Sequence, residues 1–132
     1  MNPLDDTDQN RWKQAPHFNT SSLANIRLNG RVALVVGATG HLGRAISRAI
    51  ASCGASVAIH YLTHEDEAQA IAKRIIEAGS KSIVVKANIA VSDEVKDMAS
   101  TVVEKFGTID ILINAEWISP STDPVVDSDD LG

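Results

Sequence analysis

The sequence predicts an α/β protein built on a doubly wound parallel sheet that is incomplete and has about four strands. Three observations lead to this prediction. Four apolar segments of strand length alternate with segments of helical period. The loops between them are short, as expected for parallel strands joined by right-handed crossovers. Beyond residue 119 the alternation stops, so we expect only the first half of such a sheet.

The first strand is predicted at Val32–Val36, where five apolar residues follow the turn signal Asn29-Gly30. A helix is expected directly after the glycines that end this strand, and Gly54 is expected to terminate it. Apolar residues recur along this segment at helical spacing, which predicts one inward face. That face consists of Leu42, Ala45, Ile46, Ala49, Ile50 and Cys53.

Two more helices are predicted between the remaining strands. Thr63 followed by Asp66 is a capping-box pattern, and this helix is expected to run to about Ala78. Ser92 is expected to cap the next helix, which should end at Gly107. The predicted inward face of the first of these helices consists of Ala68, Ile71, Ala72, Ile75 and Ile76. That of the second consists of Val95, Ala99, Val102, Val103 and Phe106. The remaining strands are predicted at Ser56–Tyr61, Ser82–Ala87 and Ile109–Asn114.

The chain of 132 residues is long enough for one domain with one core. Residues 1–28 show no sustained period and are expected to form a flexible N-terminal extension. Residues 29–119 are expected to form the half-domain, in which acidic and basic residues nearly balance. Residues 120–132 hold four aspartates and no complete element, so we expect an acidic, truncated tail.

Composition and charge exclude several function classes. The formal net charge is −5 and no basic stripe is visible, so we expect neither nucleic acid nor a membrane as partner. No signal peptide or membrane-spanning run is visible, and a cytoplasmic protein is expected. The single cysteine, Cys53, is expected to be buried rather than nucleophilic. The four histidines lack metal-ligand spacing, so we expect no metal site.

The chemistry of the chain centres on the turn after the first strand, which has glycines at positions 37, 40 and 43. A helix that begins there offers unpaired N–H groups and the positive end of its dipole to an anion. Glycines also let a phosphate approach the backbone without meeting a Cβ. The spacing therefore predicts a dinucleotide-binding site. The alternative is a plain tight turn whose small residues serve helix–strand packing.

The end of the second strand bears on which dinucleotide would bind. An acidic residue about 20 positions after the glycine turn would bind the adenosine ribose and favour NAD(H). His60, Tyr61 and Leu62 stand there instead, so the sequence favours NADP(H) over NAD(H). No Lys or Arg follows them to hold the 2′-phosphate. His60 and His64 are expected to have ordinary surface roles.

Residues 28–119 resemble the short-chain dehydrogenase/reductase family. Leu28–Gly37 is similar to the family's opening strand, and the glycine turn follows it. Ala87–Asp93 is similar to the family's segment after the third strand, and Gly107–Ala115 to the segment that leads into its Asn-Asn-Ala-Gly motif. The resemblance implies a Rossmann-type fold, a dinucleotide partner, and carbonyl reduction or alcohol oxidation by hydride transfer.

The resemblance also implies a set of candidate cofactor-binding residues, at the positions that match the family's motifs. They are Gly37, Thr39, Gly40, His41, Leu42, Gly43, Tyr61, Asn88, Ile89, Asn114 and Ala115. Asn88 replaces an Asp that accepts a hydrogen bond from the adenine amino group. An Asn side-chain oxygen can still accept such a bond.

The chain departs from the family's pattern near the expected phosphates. Val36 replaces the Thr of the leading motif, and His41 replaces its middle Gly. Glu116 and Trp117 stand at the Ala and Gly positions of the fourth-strand motif, where the backbone passes close to the cofactor. A bulky ring and an added negative charge should hinder a pyrophosphate there. We therefore expect this chain to bind dinucleotide more weakly than its relatives.

No catalytic residue is identified. The family's Ser and Tyr-x-x-x-Lys lie well beyond the fourth strand, and the only tyrosine here, Tyr61, is followed by Leu-Thr-His-Glu. We therefore expect an N-terminal, cofactor-binding fragment of an oxidoreductase that is inactive alone. One alternative is a non-catalytic nucleotide-binding or interaction module, or a degenerate gene product. Another is a fragment of the family's extended, sugar-nucleotide branch, whose glycine spacing Gly40 fits.

The family's strand order, 3-2-1-4, has a consequence for the fourth strand. With nothing beyond it, this strand would be an uncovered, apolar edge. Such an edge pairs readily with another chain. We therefore expect a homo-oligomer or an aggregation-prone protein.

Overall fold

The computed structural model describes residues 26–116, which form four strands and three helices in strict alternation. Most of the predicted extension, Trp117 and the predicted acidic tail lie outside the described residues. In chain order the elements are β1 (Val32–Val36), α1 (His41–Ser52), β2 (Ser56–Tyr61), α2 (Glu65–Glu77), β3 (Ser82–Lys86), α3 (Ser92–Phe106) and β4 (Ile111–Asn114).

The four strands form one parallel sheet in the order β3-β2-β1-β4, as predicted. β1 lies in the interior of the sheet, and Val35 pairs with Ile59 on one side and Ile113 on the other. All five residues of β1 are buried. A parallel strand covered on both faces needs apolar side chains on both, which explains why Val32–Val36 is a continuous apolar run.

The sheet separates two apolar layers. One layer packs the sheet against α1 and α2, and the other packs it against α3. Burying an aliphatic side chain of this size contributes about 1.5–3 kcal/mol, so the two layers supply the main stabilisation. The first contains Val35, Val57, Ile59, Tyr61, Ala68, Ile71, Ala72 and Ile75. The second contains Val32, Leu34, Val36, Ala58, Val85, Ala87, Met98 and Val102.

The predicted inward face of α1 is largely wrong. The residues that the helix buries are Gly43, Ser47 and Ala51, at intervals of four. Leu42 is 65% exposed, and Ala45 and Ala49 are exposed as well. α1 lies so close to the turn after β1 that only small side chains fit between them. Of the predicted face, Cys53 is buried and Ile50 packs against the core.

The other two helices follow the predicted pattern with local differences. The first four predicted inward residues of α2 are buried, whereas Ile76 is 54% exposed. In α3, Val102 is buried as predicted, Val103 is 45% exposed, and Met98 is a core residue that the prediction omitted. Each error is a residue beside the true stripe, because the period of 3.6 residues leaves the edges of an apolar face ambiguous.

Both predicted N-caps are wrong by one position. His64, not Thr63, is the N-cap of α2, and Val91 precedes α3, so that Ser92 is its first helical residue. Neither cap makes a side-chain hydrogen bond. Both helices have acidic residues in their first turn, which stabilise the positive end of the dipole without a cap.

The helix ends agree with the prediction because glycine can adopt positive φ. Gly54, Gly79 and Gly107 follow the three helices with φ of 100°, 99° and 88°. The strands β3 and β4 are shorter than predicted, by one residue at the end and two at the start. Asp110, predicted in β4, instead accepts the Val32 N–H at 2.8 Å through its carboxylate.

β4 is an edge of the sheet within residues 26–116, and it is only partly covered. Leu112, at its centre, is 67% exposed. Leu112 pairs with Leu34 of β1, which is only 3% exposed, so the burial of apolar side chains falls sharply from β1 to β4. None of the three helices described is long and apolar enough to cross a membrane.

Candidate functional site

The glycine turn lies at the carboxyl end of the sheet, where β1 and β4 end side by side. The chain leaves β1 toward β2 on one side and returns to β4 on the other, so this is the point where the strand order reverses. In open α/β sheets the crevice at such a point is where ligands bind. The Ala115 N–H donates to the Val36 carbonyl oxygen at 2.8 Å and extends the pairing to the turn.

Gly37 is in contact with the segment that follows β4. Its φ is 73°, a conformation that L side chains rarely adopt. A Cβ at this position would lie 2.7 Å from the Glu116 nitrogen and 2.8 Å from its Cα. Any side chain would therefore push the end of β4 away, and both the backbone conformation and the space require glycine here.

Gly43 is required for a different reason, the close packing of α1 on the turn. A Cβ there would overlap the Gly37 carbonyl oxygen and lie 2.7 Å from the Ala38 Cα. Gly40 differs from both, since its φ is −71° and a Cβ at this position would lie 3.7 Å from the nearest atom. Neither the backbone conformation nor packing within the protein requires glycine at position 40. Because glycine nevertheless stands there, the backbone at the start of α1 is not covered by a side chain.

The N-terminus of α1 is the one helix start without acidic residues among the three helices described. Its N-cap, Gly40, has no side chain, so no side-chain hydrogen bond caps the helix. The first N–H groups and the positive end of the dipole face outward beside the turn. This combination suits a phosphate, which accepts several N–H bonds at once. His41 and Leu42, both exposed, stand at this start.

Arg44 is a site residue that the sequence-based prediction missed. Its Nη2 donates to the Thr39 carbonyl oxygen at 3.3 Å and lies 3.5 Å from the Glu67 carboxylate of α2. Its Nε is buried and has no hydrogen-bond partner in the described part of the chain. A base was sought only at the end of β2, where there is none, whereas the helix after β1 supplies one. Its position in the first turn of that helix was the available signal.

Two asparagines stand at the ends of β3 and β4. The Asn88 Oδ1 accepts the Ala90 N–H at 3.0 Å, and the Asn88 N–H donates to the Glu94 carboxylate at 3.1 Å. The Asn114 Oδ1 accepts the Glu116 N–H at 3.1 Å. Each side-chain oxygen closes a local turn and keeps one lone pair for a ligand, and each amide group remains a donor.

The structure brings most of the predicted residues to the carboxyl edge of the sheet, but it places the Tyr61 ring in the core. Tyr61 is 8% exposed and packs with the layer that contains α1 and α2. Burial, the charge of Glu65 and a hydrogen bond with Glu65 raise the pKa of the Tyr61 hydroxyl above its ordinary value of 10.0. Ile89 packs against the other layer.

His60 is the clearest correction to the predicted surface residues. It is 1% exposed and is hydrogen-bonded through both ring nitrogens. His64 is exposed, as predicted. Within residues 26–116, no three His, Cys, Asp or Glu side chains come together as a group that could hold a metal ion.

A glycine turn at the switch point of a parallel sheet, opening an uncapped helix, defines the Rossmann class of nucleotide-binding folds. Comparison with known proteins supports this class and identifies the family within it. The family model for short chain dehydrogenases matches residues 31–124. The chain belongs to the short-chain dehydrogenase family.

Relatives with known names cover the same region. The chain is 42% identical over 87 residues to a 3-oxoacyl-(acyl-carrier-protein) reductase of Staphylococcus epidermidis, which covers 66% of this chain and 36% of that protein. It is 38% identical over 95 residues to the reductase of the same name from Synechocystis, which covers 72% and 38%. The chain thus spans little more than a third of the length of these relatives.

Solved structures show the same fold. A dehydrogenase/reductase from Sinorhizobium meliloti matches with a TM-score of 0.71 and 30% identity, over 85% of this chain and 46% of that one. A short chain dehydrogenase from Burkholderia cenocepacia, solved in complex with NADP, matches with a TM-score of 0.68 and 35% identity, over 78% and 43%. These structures confirm the predicted Rossmann-type sheet.

The two glycines of the turn that differ in packing make a matched pair for a stability test. We predict that Gly43→Ala lowers the free energy of unfolding by about 2 kcal/mol, because its Cβ meets backbone that cannot move freely. Gly40→Ala should cost less than about 1 kcal/mol, since its Cβ makes only an ordinary van der Waals contact, 3.7 Å from the Gly37 carbonyl oxygen. Urea unfolding followed by circular dichroism measures both. Equal losses would contradict the packing assigned to Gly43.

The raised pKa of Tyr61 leads us to predict that the protein loses stability at alkaline pH. Its folded-state pKa is raised, so between 10.0 and that higher value the unfolded chain releases a proton that the folded chain keeps. The free energy of unfolding should therefore fall as pH rises through 10.0, and Tyr61→Phe should remove part of this fall. Tyrosinate absorbance reports on Tyr61 alone, because the chain has one tyrosine. A titration midpoint at or below 10.0 would refute the prediction.

Proposed function

We propose that this chain is the cofactor-binding N-terminal half of an NAD(P)-dependent short-chain oxidoreductase, which reduces a carbonyl group or oxidises an alcohol by hydride transfer. Residues 29–119 form the half-domain. The chain itself holds the adenosine and pyrophosphate end of the dinucleotide. The catalytic Ser and Tyr-x-x-x-Lys of the family have no counterpart in this sequence, so the 132 residues alone are inactive.

One observation carries this proposal, the uncapped start of α1 beside the open backbone at Gly40. Internal packing explains the glycines at 37 and 43, but it does not explain the one at 40. Close approach of a ligand phosphate does explain it, because phosphate oxygens would accept the N–H groups of the first helical turn. The nearby amides of Asn88 and Asn114 suit the polar edges of a base and a ribose.

The dinucleotide that we propose is NADP(H) rather than NAD(H). The end of β2 at His60, Tyr61 and Leu62 carries no acidic residue to bind a ribose 2′-hydroxyl, which leaves room for a 2′-phosphate at that strand end. Arg44 supports the preference, since its buried Nε lacks a partner within the described residues and its guanidinium lies beside Thr39. A matching structure from Burkholderia cenocepacia was solved in complex with NADP.

A second candidate is a nucleotide-binding or interaction module without catalysis. The position of Glu116 favours it, because its backbone lies against Gly37 and the residue, which carries a negative charge, is exposed. The gene sequence downstream of codon 132 separates the two candidates. A continuation in frame that encodes Tyr-x-x-x-Lys supports the oxidoreductase, and a stop codon supports the module.

Cofactor binding tests the proposal directly. We expect NADPH, titrated into the isotopically labelled 132-residue protein, to shift the backbone amide resonances of residues 37–43 and of Asn88 at millimolar concentrations. NADH should produce smaller shifts at equal concentration, because it lacks the 2′-phosphate. Shifts scattered over the surface, or none at residues 37–43, would overturn the proposed function.

The same titration includes a charge variant. Glu116→Gln should raise NADPH affinity about threefold, because it removes a negative charge beside the phosphates, and added salt should reduce the gain. Glu104→Gln, an exposed position on α3, is the matched control and should leave affinity unchanged. Micromolar affinity in the unmodified protein would contradict the expectation of weak binding, although not the proposed function.

We also propose that the 132-residue protein pairs with a second copy through β4. Its backbone groups on the outer side have no strand beside them within the described residues, and Leu112 is 67% exposed. An open apolar edge of this kind accepts another strand. Light scattering should show a dimer or larger species, and Leu112→Lys should shift the population toward monomer. A stable monomer of the unmodified protein would exclude this pairing.

A further inference from the structure

His60 is a buried polar residue whose role the packing of the sheet does not explain. It lies in β2 and is 1% exposed, although its strand neighbours Ile59 and Ala58 are ordinary apolar core residues. A buried imidazole costs free energy unless both of its nitrogens are hydrogen-bonded. An aliphatic residue would fill the same space without that requirement. The reason for a histidine here must therefore lie in the groups to which its nitrogens are hydrogen-bonded.

Both ring nitrogens bind the backbone of loops at the carboxyl edge of the sheet. The Gly37 N–H donates to His60 Nδ1 at 3.0 Å. His60 Nε2 lies 2.8 Å from the Ala87 carbonyl oxygen, which can only accept. The ring is therefore neutral, with its hydrogen on Nε2 and a lone pair on Nδ1, because this is the one form that satisfies both contacts.

The backbone of His60 adds a third contact to the same turn. Its carbonyl oxygen accepts the Ala38 N–H at 3.3 Å. Two consecutive amides of the glycine turn are thus held by one residue, and one of them belongs to Gly37, whose φ is 73°. On the other side, the ring holds Ala87, the residue before Asn88. His60 therefore links the turn after β1 to the loop after β3.

We infer that His60 is a positioning residue of the dinucleotide site, which sets the conformation of the glycine turn through Gly37 and aligns it with the loop at Asn88. This inference rests on the proposed function for its ligand. The bond to Gly37 is the important one, because Gly37 begins the turn whose following N–H groups meet the phosphates. The bond to Ala87 fixes the ring so that Nδ1 faces the turn.

Two substitutions separate the two bonds. His60→Asn places an amide oxygen where Nδ1 stands, so it keeps an acceptor for the Gly37 N–H but falls short of Ala87. His60→Gln places its amide near Nε2, so it keeps a donor for Ala87 and leaves the Gly37 N–H without its acceptor. Both variants bury one amide and lose one hydrogen bond. His64→Gln, at an exposed position four residues later, is the control.

Affinity for NADPH and thermal stability are measured for each variant. We expect His60→Gln to lose about tenfold in affinity, the effect of one hydrogen bond, and His60→Asn to stay within about twofold of the unmodified protein. The two variants should have similar melting temperatures, and the control should match the unmodified protein in both measurements. Equal affinities of the Asn and Gln variants, or losses that follow melting temperature alone, would overturn the inference.

A measurement without cofactor separates this inference from the proposed function. Long-range nitrogen–proton spectra should show His60 with its hydrogen on Nε2, and hydrogen exchange of the Gly37 amide should accelerate in His60→Gln but not in His60→Asn. A hydrogen on Nδ1, or unchanged exchange in His60→Gln, would overturn the positioning role even if NADPH binds. If the spectra and the exchange agree but NADPH does not bind, the positioning of the turn stands and the proposed function fails.

Discussion

The structure depends on the close approach of three backbone segments at Gly37. The backbone that follows β4 is in contact with this residue, and α1 packs against its carbonyl group through Gly43. Gly37 itself follows β1 directly and has a positive φ. No side chain fits at Gly37 or, across the contact, at Gly43. Because backbone packs on backbone here, the turn, the helix start and the neighbouring strand are held in one fixed relation.

That contact explains why α1 differs from an ordinary amphipathic helix. The helix descends onto the sheet through Gly43, Ser47 and Ala51, and the Ser47 hydroxyl donates to the Gly43 carbonyl oxygen at 2.7 Å. Its larger apolar residues then lie at the side of the contact, where Leu42 is exposed. Leu112 on β4 is exposed to a similar extent.

Much of the fold could be predicted because local signals agreed with one another. Apolar runs, helical period and glycines at helix ends each marked the same boundaries, and their alternation led to the parallel sheet, whereas the strand order came from the resemblance to the family. The site was predicted less completely. The glycine turn was recognisable from spacing, whereas Arg44 and His60 act through contacts with residues that are distant in sequence, Glu67, Gly37 and Ala87. No local pattern encodes such pairs.

The sequence by itself determined the class of the fold, the place of the glycine turn and the family, since all three depend on the order and spacing of residues along the chain. Only the tertiary structure decided which glycines are required by packing and which one leaves space for a ligand. It also turned His60 from an apparent surface residue into a buried link between two loops. The physical reason is that burial and hydrogen-bond partners arise from the approach of separate segments, and β1, β2 and β3 meet only in the folded sheet.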